Sequence, residues 1–205
     1  MRGVKVYSAK GASITRGVGI FSRAFMDRFP LVPVEDEERL QEYSIRENFI
    51  ERVFVYRRWL DLIQPGHTIN ELISFHTDHK YLILSHSVNH LRELGAIVSN
   101  GKKNHRSQLF DRYHHILMDG LRLMATVKKH TNVLQHMAGY LKNQLTTWEK
   151  TELQEIITRY HGGLVPLIVP ITLIKHYVKK YDEPYLKRQY YLNPHSMELM
   201  LRNHV

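Results

Sequence analysis

TINELISFHTDHKYLILSHSVNH, residues 68–90, is the stretch whose reading decides the fold. Thr68 is followed three residues later by Glu71, the pairing that caps a helix start reciprocally. Ile69, Leu72, Ile73, Phe75, Leu82 and Ile83 then share one broad face, so the spacing predicts a helix from Thr68 to about Leu84. Ser85-His86-Ser87 marks a break, and Ser87 is a good cap for a second helix running to about Ser99. Four histidines lie along this run. His76 and His79 fall inside the apolar face one turn apart, with Lys80 at its edge, while His86 and His90 follow the break. Three readings fit the pair: two metal ligands, polar contacts to a substrate or RNA, or satisfied core histidines. A metal needs three or four ligands with carboxylates behind them. No HExxH motif is present, and no acidic residue shares the histidine face.

Outward from this stretch the helical signals continue. Helices are predicted over residues 107–126 and 131–145, the second with an N-cap at Thr131 or Asn132. Thr146 with Glu149 caps the next, which stops at Gly162-Gly163. Residues 170–181 form another, and Pro194 opens a last one. Toward the N-terminus, residues 44–63 read as an amphipathic helix capped by Ser44 and Glu47. Before it, VKVY (4–7), a loop at 10–17, a helix at 19–29 and LVPV (31–34) read as β-loop-α-β. Two strands and one helix cannot cover both faces of a sheet, so this piece reads as the remnant of a larger α/β domain. The fold class expected is mainly α. Residues 1–43 form the incomplete piece, 44–66 a connecting helix and linker, and 67–205 an all-helical domain.

The composition narrows the chemistry. The 205 residues contain no cysteine, which excludes disulfides, thiolate metal sites and cysteine nucleophiles. No run approaches the length of a membrane span and the N-terminus shows no apolar leader, so no membrane partner and a cytoplasmic location are expected. The formal charge is +9. Residues 67–205 carry 18 Lys/Arg against 11 Asp/Glu, and all 14 histidines lie at or after His67. This balance favours a polyanion partner.

Two further clusters suit such a partner. In KKHTNVLQHMAGYLK (128–142), Lys128, Lys129 and His130 precede the expected N-cap, a favourable place for phosphate. Asn132, Gln135, His136, Gly139 and Asn143 then form a stripe rich in amides, where a merely solvated face usually carries charge; a solvated face remains the alternative. In YLKRQYYLNPHSMELMLRN (185–203), basic residues alternate with tyrosines, which suits stacking on unpaired bases or docking of the segment onto the helices.

FHTDHKYLILSHS, HTNVLQHMAGYLK, GLVPLIVPITLIKH and YLNPHSMELMLRN together resemble the YbgA-like domain, long described as of unknown function. VKVY, RGVGIFSRAFMDRFPLVPVEDEERL and RENFIERVFVYRRW resemble the C-terminal end of a thiouracil-desulfidase-type domain. The two occur fused in this order, and the resemblance implies a role in removing sulfur from 4-thiouridine in tRNA. It implies a [4Fe-4S] cluster, held by three cysteines, only in complete fused proteins. Those cysteines belong upstream of VKVY, so this chain looks like a fusion cut inside its first domain, with no cofactor of its own and no independent catalysis expected. Its partners are expected to be RNA, most of all tRNA, and a cysteine-bearing desulfidase domain. Lys80, Lys128, Lys129, Lys142, Lys187 and Arg202 are then candidates for phosphate contacts. His76, His79, His130, Asn132, Gln135, His136, Asn193 and His195 are candidates for hydrogen bonds to base or ribose. The alternatives are a metal-dependent or acid–base enzyme centred on His76, His79 and His136, or a module that docks on a separate desulfidase subunit.

Overall fold

The computed structural model describes residues 6–7, 13–14, 19–100 and 106–195. The chain is mainly helical. A two-stranded antiparallel ladder, β1 (Val6–Tyr7) with β2 (Ser13–Ile14), is followed by α1 (Ile20–Arg28) and a 3-10 turn at Arg39–Gln41. Then come α2 (Tyr43–Leu62), α3 (Ile69–His86), α4 (Val88–Ser99), α5 (Arg106–Leu121), α6 (Val127–Leu141), α7 (Thr147–His161), α8 (Ile168–Lys180) and α9 (Pro184–Lys187).

The second half of α3 is the centre. Tyr81 to His86 are buried without interruption, so this turn and a half is enclosed on all sides. α3 packs against α2, α4, α5 and α6, and α6 in turn packs against α7 and α8. Leu72, Leu82, Leu94, Leu117, Leu134 and Ile157 are among the side chains that fill the core. Thr68 and Glu71 form the anticipated capping box on α3, and Thr146 and Glu149 form one on α7, each worth about 1 kcal/mol. Ser87 caps α4 by accepting from the His90 N–H. Gly163 takes φ +73 just past α7, a left-handed conformation that costs glycine no Cβ clash.

Several elements differ from the sequence reading. LVPV (31–34) is not a strand: Pro33 has no N–H to donate, and among the described residues no strand pairs with it. The ladder instead pairs β1 with part of the stretch read as a loop, so the order is hairpin, then helix. Ser44 does not cap α2, which starts after Glu42 with no side-chain cap. Nor is α2 merely a connector. Val55 and Trp59 lie in the helical core, and the Trp59 ring stacks on Tyr113 at 5.4 Å and meets Phe75 edge-on at 5.5 Å. α6 begins at Val127 because Thr126 provides the cap, accepting from Lys129 N, while the Thr131 hydroxyl donates to Val127 O inside the helix. Pro184 opens a short helix that the periodicity did not reveal. The helix expected after Pro194 lies outside the described residues.

The chain after α9 is laced onto α3. Arg188 forms a two-pronged ion pair with Asp78, and Tyr190 N donates to Asp78 O. The fully buried Gln189 donates to Thr77 O and accepts from Tyr81 N. At the start of α7, buried Glu149 accepts from Lys180, Tyr181 and Thr146, which hold its carboxyl down at about 2 and tie α7 to α8.

Candidate functional site

The histidines of the opening stretch are used inside the fold. His79 is 1% exposed. Its ring lies 3.9 Å from Phe75 and 4.4 Å from Tyr190, and Nδ1–H donates to Phe75 O. Burial pushes it down to about 3, so it is neutral at pH 7, with Nε2 as a buried acceptor. His76 is half-buried and hydrogen-bonded to the Tyr113 hydroxyl at 3.0 Å; burial, aided by Lys80, lowers it to about 4. Neither ring offers a phosphate positive charge, and His79 does not reach solvent.

His86 is fully buried at a junction of four segments. Nδ1 faces Leu123 O at 2.8 Å and Nε2 faces the Glu51 carboxylate at 3.1 Å. Asn48 of α2 donates to Leu121 O, and Lys129 Nζ donates to the carbonyls of His86 and Met124 at 2.7 and 2.6 Å. His90 bridges Ser87 Oγ at 2.7 Å and Asp119 at 3.2 Å, packed over Gly120, where a Cβ would come within 2.8 Å of the His90 Cβ. This is a Ser-His-Asp chain in composition. Yet Ser87 is the buried cap of α4 and does not line the adjoining cleft, so it presents no hydroxyl for attack.

The residues expected to recognise RNA are dispersed. Lys129 is tied to carbonyls, and His130 is buried with Nδ1 on the Tyr191 hydroxyl at 2.9 Å. Lys80, His136 and Lys142 are exposed. Lys187 pairs with Asp182, and Asn193 donates to Lys187 O. Both border a cleft of about 380 Å³ with Lys175, His176 and Lys179. The His195 ring stacks on Phe54 at 4.4 Å. Arg202 lies outside the described residues. Among the described residues no three His, Asp or Glu side chains come together to hold a metal, and a chain without cysteine supplies no thiolate for an iron–sulfur cluster.

What the fold does assemble is a cleft of about 320 Å³ between α6 and α7. Lys128, Thr131, Asn132 and Gln135 line one side, and Gln154, Ile157, Thr158 and His161 the other. Each set follows the spacing i, i+3, i+4, i+7, one face of one helix. The start of α6 opposes the end of α7, and His161 is 3.2 Å from the Thr131 hydroxyl. That hydroxyl already donates to Val127 O, so His161 donates from Nδ1 and turns Nε2 outward. The amides of Asn132, Gln135 and Gln154 have no partner among the described residues, and no carboxylate lines the cleft. Sequence reasoning found Lys128, Asn132 and Gln135 but not Gln154, Thr158 and His161. Their signal was a second uncharged polar stripe, on α7.

A family model described as "Protein of unknown function (DUF1722)" matches residues 80–196. The chain belongs to this family. A relative within reach of the DUF1722 chain is the "Uncharacterized protein YbgA" of Escherichia coli (strain K12), 30% identical over 156 residues, which span 74% of this chain and 90% of that protein. No solved structure matches. The YbgA-like resemblance of the helical region is therefore established, and the family match takes in both sides of the α6–α7 cleft. No described helix is long and apolar enough to cross a membrane.

Proposed function

We propose that this chain binds RNA, tRNA first among candidates, as the accessory part of a system that removes sulfur from 4-thiouridine. The observation that carries the reading is the α6–α7 cleft. Its polar lining consists of three amides without a partner among the described residues, two threonines, a histidine and Lys128, with no described carboxylate to repel a phosphate. The excess of cations over acids after residue 67 supports the same partner. Lys175 and Lys179, beside Lys187 in the second cleft, offer a second group of cations. The link to thiouridine rests on the resemblance to fused desulfidases, and the sulfur chemistry itself would belong to a cysteine-bearing partner domain.

Phosphate contacts release counterions, so affinity must fall steeply with salt. A tRNA titration at two salt concentrations is expected to show tight binding at low salt and strong weakening at high salt. Lys128→Ala is expected to reduce the logarithmic salt slope by about 1. Absence of binding, or binding indifferent to salt, refutes the reading.

A further inference from the structure

We infer that the α6–α7 cleft takes a single unpaired nucleotide, with its base edge on the amides and its phosphate on Lys128. This rests on the RNA-binding reading and makes that site specific.

The lining is of a particular kind. An amide offers a donor and an acceptor side by side. Every nucleobase presents the complementary pair on its Watson–Crick edge, whereas a phosphate or carboxylate offers acceptors alone. Asn132 and Gln135 on α6 face Gln154 on α7, so donor–acceptor pairs stand on both walls. The Thr158 hydroxyl donates to Gln154 O, which leaves it acceptor capacity, and His161 keeps Nε2 out of its bond to Thr131. Ile157, fully buried, closes the core behind them. One ammonium, Lys128, stands in the lining, enough for one phosphate.

Size and nucleic-acid geometry point the same way. About 320 Å³ lies at the small end of ligand pockets, room for one nucleotide and not for a helical groove. An RNA duplex consumes its Watson–Crick edges in pairing, hides its major-groove edges in a deep, narrow groove, and is met mostly through phosphates and 2′-hydroxyls across the minor groove. Amides on a duplex would have no Watson–Crick edge to read. An unpaired nucleotide in a loop, a bulge or an end exposes that edge.

The test uses the full chain and labelled short RNAs in fluorescence anisotropy. A single strand carrying bases is expected to bind at least about tenfold tighter than the same strand with abasic sites, and than a blunt duplex. Gln135→Ala with Gln154→Ala is expected to erase that ratio while leaving the abasic strand's affinity unchanged. Lys128→Ala is expected to weaken both strands alike. Equal affinity for base-bearing and abasic strands overturns the inference but leaves RNA binding standing. A mononucleotide that binds as tightly as the strand overturns the assignment to RNA within this cleft. No binding to any strand refutes the RNA reading itself.

Discussion

Gln189 and Gln135 carry the same side chain in opposite circumstances. Gln189 is fully buried, and its amide is consumed by Thr77 O and Tyr81 N. Gln135, on the rim of the α6–α7 cleft, has no partner among the described residues. The histidines divide in the same way: His86 has both ring nitrogens engaged in the interior, whereas His161 engages one through Thr131. A buried polar group must be satisfied within the protein or it costs stability. A rim amide meets water at no such cost, so folding alone gives no reason for amides there. The interior polar groups thus hold the structure, and those on the rim are available for a ligand.

That contrast breaks first at His86. His86→Ala removes the ring that faces both the Glu51 carboxylate and Leu123 O and leaves a hole in the interior, and is expected to lower unfolding free energy by about 3 kcal/mol, read by urea denaturation. A loss below about 1 kcal/mol would mean that water reaches this junction.

A smaller effect tests His79 by pH. Its folded value, about 3, lies below the ordinary 6.5. Between those values the unfolded chain binds a proton that the native chain does not. Its contribution is therefore intact above pH 6.5 and declines as pH falls. His79→Leu is expected to flatten stability against pH below 6.5. A residual slope down to about 4 should remain from His76 and His114.

The smallest effect belongs to the rim. Gln135→Ala with Gln154→Ala is expected to change stability by less than about 0.5 kcal/mol, since nothing inside depends on either amide. Measurable destabilisation would move these residues to the structural side of the comparison.

Much of the fold was legible locally. The capping boxes at Thr68–Glu71 and Thr146–Glu149, the Ser87 cap and the Gly162-Gly163 stop all stand where residue type and spacing put them. The start of α6 was misread because Thr126 and Thr131 are both competent caps. Lys129, reaching back to His86 O and Met124 O, anchors the turn before the helix and is invisible to a local rule. LVPV looked like a strand because four residues carry strand composition whether or not a partner exists. Of the cleft, only the α6 side was read. The α7 side had to be brought opposite before Gln154, Thr158 and His161 meant anything. Tyr185 and Tyr191 suggested base stacking, yet Tyr191 is buried against His130 and Tyr185 stacks on Tyr140.

The sequence by itself determined a basic, cysteine-free, mainly helical chain, because composition, caps and 3.6-residue periodicity act over a few neighbours. Only the tertiary structure decided which polar residues are already spent. Whether His79, Lys129 or Gln135 has a partner depends on atoms from helices distant in sequence, and on whether water reaches the site. Helical spacing sets which residues share a face, and packing sets what that face meets.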